Sequence, residues 1–444
     1  MPDRLPRIPI TNRVAAGSVR AVAVFGFAAA VAVVSCRSGC EQDGHKPAGP
    51  CAADSACSRR ACDIGDWTTY GRDAQRTSAS PGCCVGPLRE LWRFSPEPRE
   101  GRKARAFHAI ALGDAVYVSG VIGESPAVFR LHLDGTLAWV FDSRVDISHA
   151  HWPTFGLGEV MLNDDGVYLL DPRTGAKLFD RGLDSWGQTL TDASRIYLVN
   201  TYYVEGPRLS VGGYDPQGHQ LWQQNVVGQK QREELRDLVG GLALDRRILF
   251  QAAEYRYKQS AGVFAFEAAT GTPKWSVETR PAGALSAAHR RVYLIERPAK
   301  DNAVLLVARS QEDGAVAWGT PVQGIDPAAP VVLADRVVTF SHEDGVAAWD
   351  AANGKSLWRR AIGATRADSV GNATHIAAAT GSKTLIVAGG SRLAILSSED
   401  GTDLWHASET TDAGFHSPIL ANGRVYVVSE SGVRALQCGS ETLP

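Results

Sequence analysis

Four histidines carry the most versatile chemistry in the chain. His108, His151, His375 and His416 each stand at the head of a short run that reads as a β-strand. Neutral imidazole ligates transition metals, and the protonated ring can hold an anion near physiological pH. The plainer role for each is a hydrogen bond to neighbouring backbone. A second set mixes rings with charges: Tyr202, Tyr203, Glu205 and Arg208, then Tyr255, Arg256, Tyr257 and Lys258, then Arg297, Lys300 and Asp301. Tyr and Arg dominate the energetics of protein interfaces, so these are candidate partner-binding residues; otherwise they are solvated loops. No catalytic residue is assigned. Gly-x-Ser-x-Gly, His-Glu-x-x-His and a phosphate loop are all absent from the sequence.

The eight cysteines suit an oxidising compartment. Cys40, Cys51, Cys57 and Cys62 lie within residues 37–65, a Gly/Pro/Ala/Asp-rich stretch nearly free of large apolar side chains. Their spacings lack the two close pairs of a zinc site, so disulfides are expected and no metal. Arg4, Arg7, Arg13 and Arg20 precede the apolar run Ala21 to Val34, too short for a permanent bilayer span. Val33-Val34-Ser35-Cys36 follows and is similar to a bacterial lipobox, which implies lipidation at Cys36. The expected organisation is a signal peptide over 1–35, a tether over 36–65, a folded body over 66–438 and a tail over 439–444.

A repeat must position the candidate residues. A turn carrying Gly is followed four residues later by an aromatic ring, seven times over. The rings are Trp139, Phe179, Trp222, Trp275, Trp318, Trp358 and Trp405, after Gly135, Gly175, Gly218, Gly271, Gly314, Gly354 and Gly401. The Gly spacing of 40–53 residues, with period-two alternation between copies, specifies a β-propeller. Gly supplies positive φ at the hairpin, and each ring is placed to pack against a neighbouring blade. Strands such as Val116-Tyr117-Val118 and Val425-Tyr426-Val427 complete four per copy.

The chain ends decide the count. Three strands follow Trp405, and Leu91-Trp92-Arg93-Phe94 is an outer strand with no partners of its own. Joined, they make an eighth blade that leaves no open edge. The fold is therefore all-β: an eight-bladed propeller of four-stranded antiparallel blades. Cys438 follows the third of those strands, and Cys83 and Cys84 precede the fourth, so a bond from Cys438 to either one would weld the closure. Aligned blades bring the four histidines to one level of the channel, in blades consecutive around the ring.

These residues resemble the PQQ-like repeat family, whose outer-strand motif is Ala-x-Asp-x-x-Thr-Gly-x-x-x-Trp. Ala265, Glu267, Thr270, Gly271 and Trp275 follow it. So do Ala348, Asp350, Asn353, Gly354 and Trp358, and in part Asp171, Thr174, Gly175 and Phe179. The opening, Asp66-Trp67-Thr68-Thr69-Tyr70-Gly71-Arg72-Asp73, is similar to that of such propellers. The class holds both quinoprotein dehydrogenases and scaffolds without activity, so the fold alone implies neither. The dehydrogenases hold their quinone under a vicinal disulfide, on a Trp floor, beside carboxylate-bound calcium. Cys83-Cys84 is vicinal but precedes the closing strand, on the wrong side of the ring for a lid, and no Cys-x-x-Cys-His haem site exists. The arrangement is more similar to the scaffold lipoprotein of the outer-membrane β-barrel assembly machinery. That resemblance implies a non-enzymatic, lipid-anchored envelope protein with a protein partner and no cofactor. Arg37, where inner-membrane lipoproteins often carry Asp, implies the outer membrane. The alternatives are a PQQ-dependent dehydrogenase, or a small-molecule or metal-binding propeller using the channel mouth. A formal net charge of −2 supplies no field for nucleic acid.

Overall fold

The computed structural model describes residues 66–144, 153–163, 167–181, 189–202, 208–226, 239–254, 262–297, 303–323, 328–341, 345–362, 375–389, 392–408, 415–429 and 431–439. The chain divides into Met1–Ala52 and Ala53–Pro444, and every described residue belongs to the second unit. The expected signal peptide over 1–35, Cys36 and the cysteines of the expected tether lie outside the described residues.

Eight sheets form the ring. Blade 1 is Ala104–Leu112, Ala115–Ile122, Ser125–His132 and Leu137–Asp142, from the axis outward. Blades 2 to 4 repeat it, with inner strands Thr154–Gly156, Leu190–Thr191 and Val239–Asp245. Blade 5 has a split inner edge, Arg280–Pro281 and Ser286–Ala288, both paired to Arg291–Arg297. Blades 6 and 7 begin with Val331–Val332 and His375–Ala379. Blade 8 takes His416–Ala421, Arg424–Ser429 and Gly432–Gly439 from the C-terminus and its outer strand, Val85–Phe94, from the N-terminus. Trp92 pairs with Ala435 and Phe94 with Val433. The early strand thus closes the ring, and it is ten residues long rather than four. The last strand runs to Gly439, one residue past the boundary expected from sequence.

Radius explains the composition. Inner strands crowd near the axis, and the side chains buried there are small: Ala106, Ala109, Ala111, Ala377 and Ala379. Blades diverge outward, and the outer strands fill the widening gap with rings. Each Trp docks on the turn Gly of the following blade. A Cβ on Gly271 would stand 2.4 Å from the Trp222 ring, and one on Gly314 2.7 Å from Trp275. Gly175 meets Trp139, Gly218 meets Phe179, Gly354 meets Trp318 and Gly401 meets Trp358 in the same way. These turns therefore need Gly twice over, for positive φ and for room. Most indoles also donate across the seam, Trp222 Nε1 to the Ala268 carbonyl at 3.0 Å and Trp318 Nε1 to Ala351 at 3.1 Å. Closure uses the same joint. Trp92 of blade 8 packs on Gly135 and donates to Leu133 O of blade 1, while Trp405 of blade 7 packs on Gly86 of blade 8. The Tyr of the Val-Tyr-Val strands supports the ring of its own blade, as Tyr293 does Trp318 with centroids 6.0 Å apart.

Candidate functional site

The two ends of the channel are built differently. At the end where inner strands finish, residues 67–84 run as a strap from blade to blade. Trp67 exchanges backbone bonds with Ala111 of blade 1. Strap carbonyls then accept amides from successive inner strands. Thr68 O takes Phe155 N (2.7 Å), Ala74 O takes Leu244 N (2.7 Å) and Gln75 O takes Ala287 N (2.8 Å). Thr77 O takes Val332 N (3.0 Å) and Ser78 O takes Ala378 N (2.8 Å). Ala79–Ser80 adds to blade 7 as a parallel edge strand. Cys84 ends the strap in a disulfide to Cys438 of blade 8, Cα atoms 5.0 Å apart.

Local chemistry folds the strap ahead of Ala79, where it belongs to no sheet. Asp73 accepts from Thr77 N at 2.9 Å and from its hydroxyl at 2.5 Å, closing a turn. Gly71 has φ +64, and a Cβ there would stand 2.9 Å from Arg76 Cα, so only Gly fits. Arg76 is the hub. It is fully buried, and its guanidinium donates to Leu242 O of blade 4 (2.9 Å), Thr189 O of blade 3 (3.0 Å), Thr69 Oγ1 (2.6 Å) and Tyr70 O. Ser286 of blade 5 donates back to Arg76 O at 2.8 Å. Burial pushes the Arg76 pKa down to about 10, so the side chain stays charged at neutral pH. No carboxylate lies within ion-pair range of it among the described residues. Carbonyl dipoles from two blades and the strap solvate the cation instead.

At the opposite end, inner strands begin and the outer ones finish. His375 and His416 open their strands, and His108 lies within Ala104–Leu112, paired with Ser119. Counted back from each hairpin, His108 and His375 stand four residues before the strand's last paired residue, and His416 five with one register shift. Blades 7, 8 and 1 are neighbours, so three of the four backbones share a level. The side chains of His375 and His416 are not described, and His151 lies outside the described residues. Among the described residues no group of three His, Cys, Asp or Glu side chains could hold a metal. Tyr202 pairs with Arg208 at this same end of blade 3, and Arg297 is exposed at the corresponding end of blade 5. Tyr203, Tyr255, Arg256 and Tyr257 lie outside the described residues.

The fold raises the question of a quinone, and the cysteines do not fit one. A lid would need Cys83 and Cys84 bonded to each other. Cys84 is bonded to Cys438 instead, and Cys83 is also engaged in a disulfide. The pair lies at the strap end, beside Gly381 of a hairpin turn.

The strap escaped the sequence reading, which placed Asp66 to Asp73 simply at the start of the propeller. One signal pointed to it. Trp67 and Tyr70 are large rings in a stretch without strand alternation, and such rings need somewhere to be buried.

The structure is similar to BamB from Moraxella catarrhalis (TM-score 0.57, 17% identity), covering 80% of this chain and 100% of that one. It is also similar to quinohemoprotein alcohol dehydrogenase from Comamonas testosteroni (TM-score 0.63, 13% identity), covering 88% and 83%. The computationally designed Ika8 protein matches at TM-score 0.56 and 13% identity, covering 79% and 99%. At these identities the likeness is one of fold. No curated protein sequence matches the chain. A family model described as "Outer membrane protein assembly factor BamB" matches residues 88–320 and 261–441. A propeller closed by its N-terminal strand, carrying the Gly-aromatic joint at every seam and matched by that model over most of its length, belongs to the BamB family of PQQ-like repeat proteins.

Proposed function

We propose that this chain is a non-enzymatic lipoprotein of the bacterial envelope, anchored through Cys36, and that it presents the connector end of its propeller to a protein partner. The asymmetry of the ring carries this reading. One mouth is crossed by a strap tied to every blade. All connectors between blades, and the loops after Tyr202, Glu254 and Arg297, leave from the other end. Loops held on a rigid ring are where binding usually resides. Family membership supports a protein-binding role, and the Cys84–Cys438 bond argues against a quinone lid. By this reading the Tyr and Arg side chains around Tyr202, Tyr255 and Arg256 are the contact residues.

Replacing Tyr202, Tyr255 and Arg256 with Ala is expected to remove the partner from pull-downs of envelope extract. Hot-spot truncations of this kind cost about 2 kcal/mol or more each, so recovery should fall well over tenfold. A control change at Lys383, exposed on the strap end, should leave recovery intact. An unchanged set of bound proteins in the triple variant would overturn the assignment.

A further inference from the structure

We propose that the strap-end hairpins of blades 4 and 5 form a cationic contact for an anionic bilayer surface, turning the strap end toward the membrane. The proposal rests on the reading that the chain is membrane-anchored. In blade 4 the two-residue turn holds Arg246 (φ 51) and Arg247 (φ 68), and in blade 5 it holds His289 (φ 52) and Arg290 (φ 62). Such turns require positive φ at both positions, which is why Asn and Gly usually fill them. Blade 8 uses Asn422 and Gly423 at the same place. Bulky cations are disfavoured in this conformation. The His289 ring meets Leu333 O of blade 6 at 3.0 Å, but neither the turn geometry nor any described contact uses the side chains of Arg246, Arg247 and Arg290.

Arg246, Arg247 and Arg290 are exposed, and none makes an ion pair among the described residues. Arg173, Lys274 and Lys355, on outer hairpins of this end, are exposed as well, but several other cations here are engaged. Arg336 pairs with Asp335 and Lys383 with Glu399, while Arg291 and Arg424 donate to carbonyls of the next blade. Consecutive strap residues, Ala74 and Gln75, bond Leu244 and Ala287, so the two turns lie side by side. Asp245, directly before Arg246, is buried and accepts from the Gln75 and Gln311 side chains. Glu267 ends the third strand of blade 4 at this end, and Glu312 and Asp313 belong to the outer hairpin of blade 5, where Asp313 accepts from Ala315 N. The chain enters the ring at Asp66, which accepts from Gly113 N of blade 1. Blade 1 stands across the ring from blade 5. A tether on one side and cations on the other would hold the strap end flat to a surface. Guanidinium forks match lipid phosphates well.

The test uses the full chain carrying Cys36→Ser, so that no acyl chain contributes. It is sedimented with vesicles of phosphatidylcholine alone, or of phosphatidylcholine and phosphatidylglycerol in equal parts. Partitioning is expected onto the anionic vesicles and to weaken as salt rises. Arg246→Asn, Arg247→Gly and Arg290→Gly together should reduce it on the order of 100-fold, about fivefold per cation. The same variant should unfold at higher urea, because the turns lose their strain. Gln at all three positions keeps the turn as it is and should also lose binding. Equal partitioning of wild type on both vesicle types, or retained binding in either variant, would overturn the proposal. Whether Cys36 is acylated is read separately from the mass of the native N-terminal peptide, so the two failures are distinguishable.

Discussion

Arg76→Leu is expected to lower the free energy of unfolding by about 3–5 kcal/mol. The guanidinium serves two blade carbonyls, one strap carbonyl and the Thr69 hydroxyl, all buried. Leucine removes the donor from all four. Thr189 O and Thr69 Oγ1 keep the Thr154 hydroxyl as a partner, whereas Leu242 O and Tyr70 O lose their guanidinium bond, at a cost of about 1–3 kcal/mol each, plus the weakening of the other two. The loss is not local, because Arg76 ties the middle of the strap to blades 3 and 4 while its own carbonyl holds Ser286 of blade 5. Lysine should restore only part of it: one ammonium carries three donors from a single point and cannot span segments arranged around a planar fork. Urea midpoints at unchanged slope measure the effect. A change below about 1 kcal/mol would show that the buried cation contributes little net stability.

The double variant Cys84→Ser, Cys438→Ser is expected to lose about 5 kcal/mol. The bond closes a loop with a sequence separation of 354, and in the chain-entropy account its stabilisation grows with the logarithm of loop length. Its position magnifies the consequence. Val85–Phe94 begins directly after Cys84, and Gly432–Gly439 contains Cys438, so the bond clamps one end of the ladder that makes eight blades a closed ring. Without it, blade 8 should open first, exposing the seam where Trp405 meets Gly86 and Trp92 meets Gly135. Denaturation of oxidised wild type beside the double variant reads the difference, and matching midpoints would contradict it.

The ring was legible in the sequence because its joint is local. Gly271 and Trp275 stand four residues apart, and the same pair recurs at each seam, so spacing alone gave the blades and the missing eighth outer strand. What spacing could not give was the partner of each ring. Trp222 docks on Gly271 of the next blade, not on its own turn Gly218, and that pairing appears only when blades are laid side by side. The strap was illegible for a related reason. Thr68, Ala74, Gln75, Thr77 and Ser78 contribute carbonyls, and a backbone acceptor leaves no mark in side-chain pattern. Arg76 reads as an ordinary surface cation until its four acceptors, from three parts of the chain, are seen together. For the histidines, hairpin turns fix the backbone count of His108, His375 and His416, while a shared site depends on side chains that strand register does not specify. The partner-binding loops carry a compositional signal only, and their role rests on the pull-down.

Residues 67–84 complete the ring by crossing one mouth, and amide hydrogen exchange tests this most directly. Phe155, Leu244, Ala287, Val332 and Ala378 each donate to a strap carbonyl, and without the strap these amides would face the water-filled channel. All five should exchange slowly in the wild type. They should speed up together in Arg76→Leu, while second-strand amides such as Tyr293 and Val427 stay protected. Rapid exchange at those five positions in the intact protein would mean that the strap does not lie where the ring needs it.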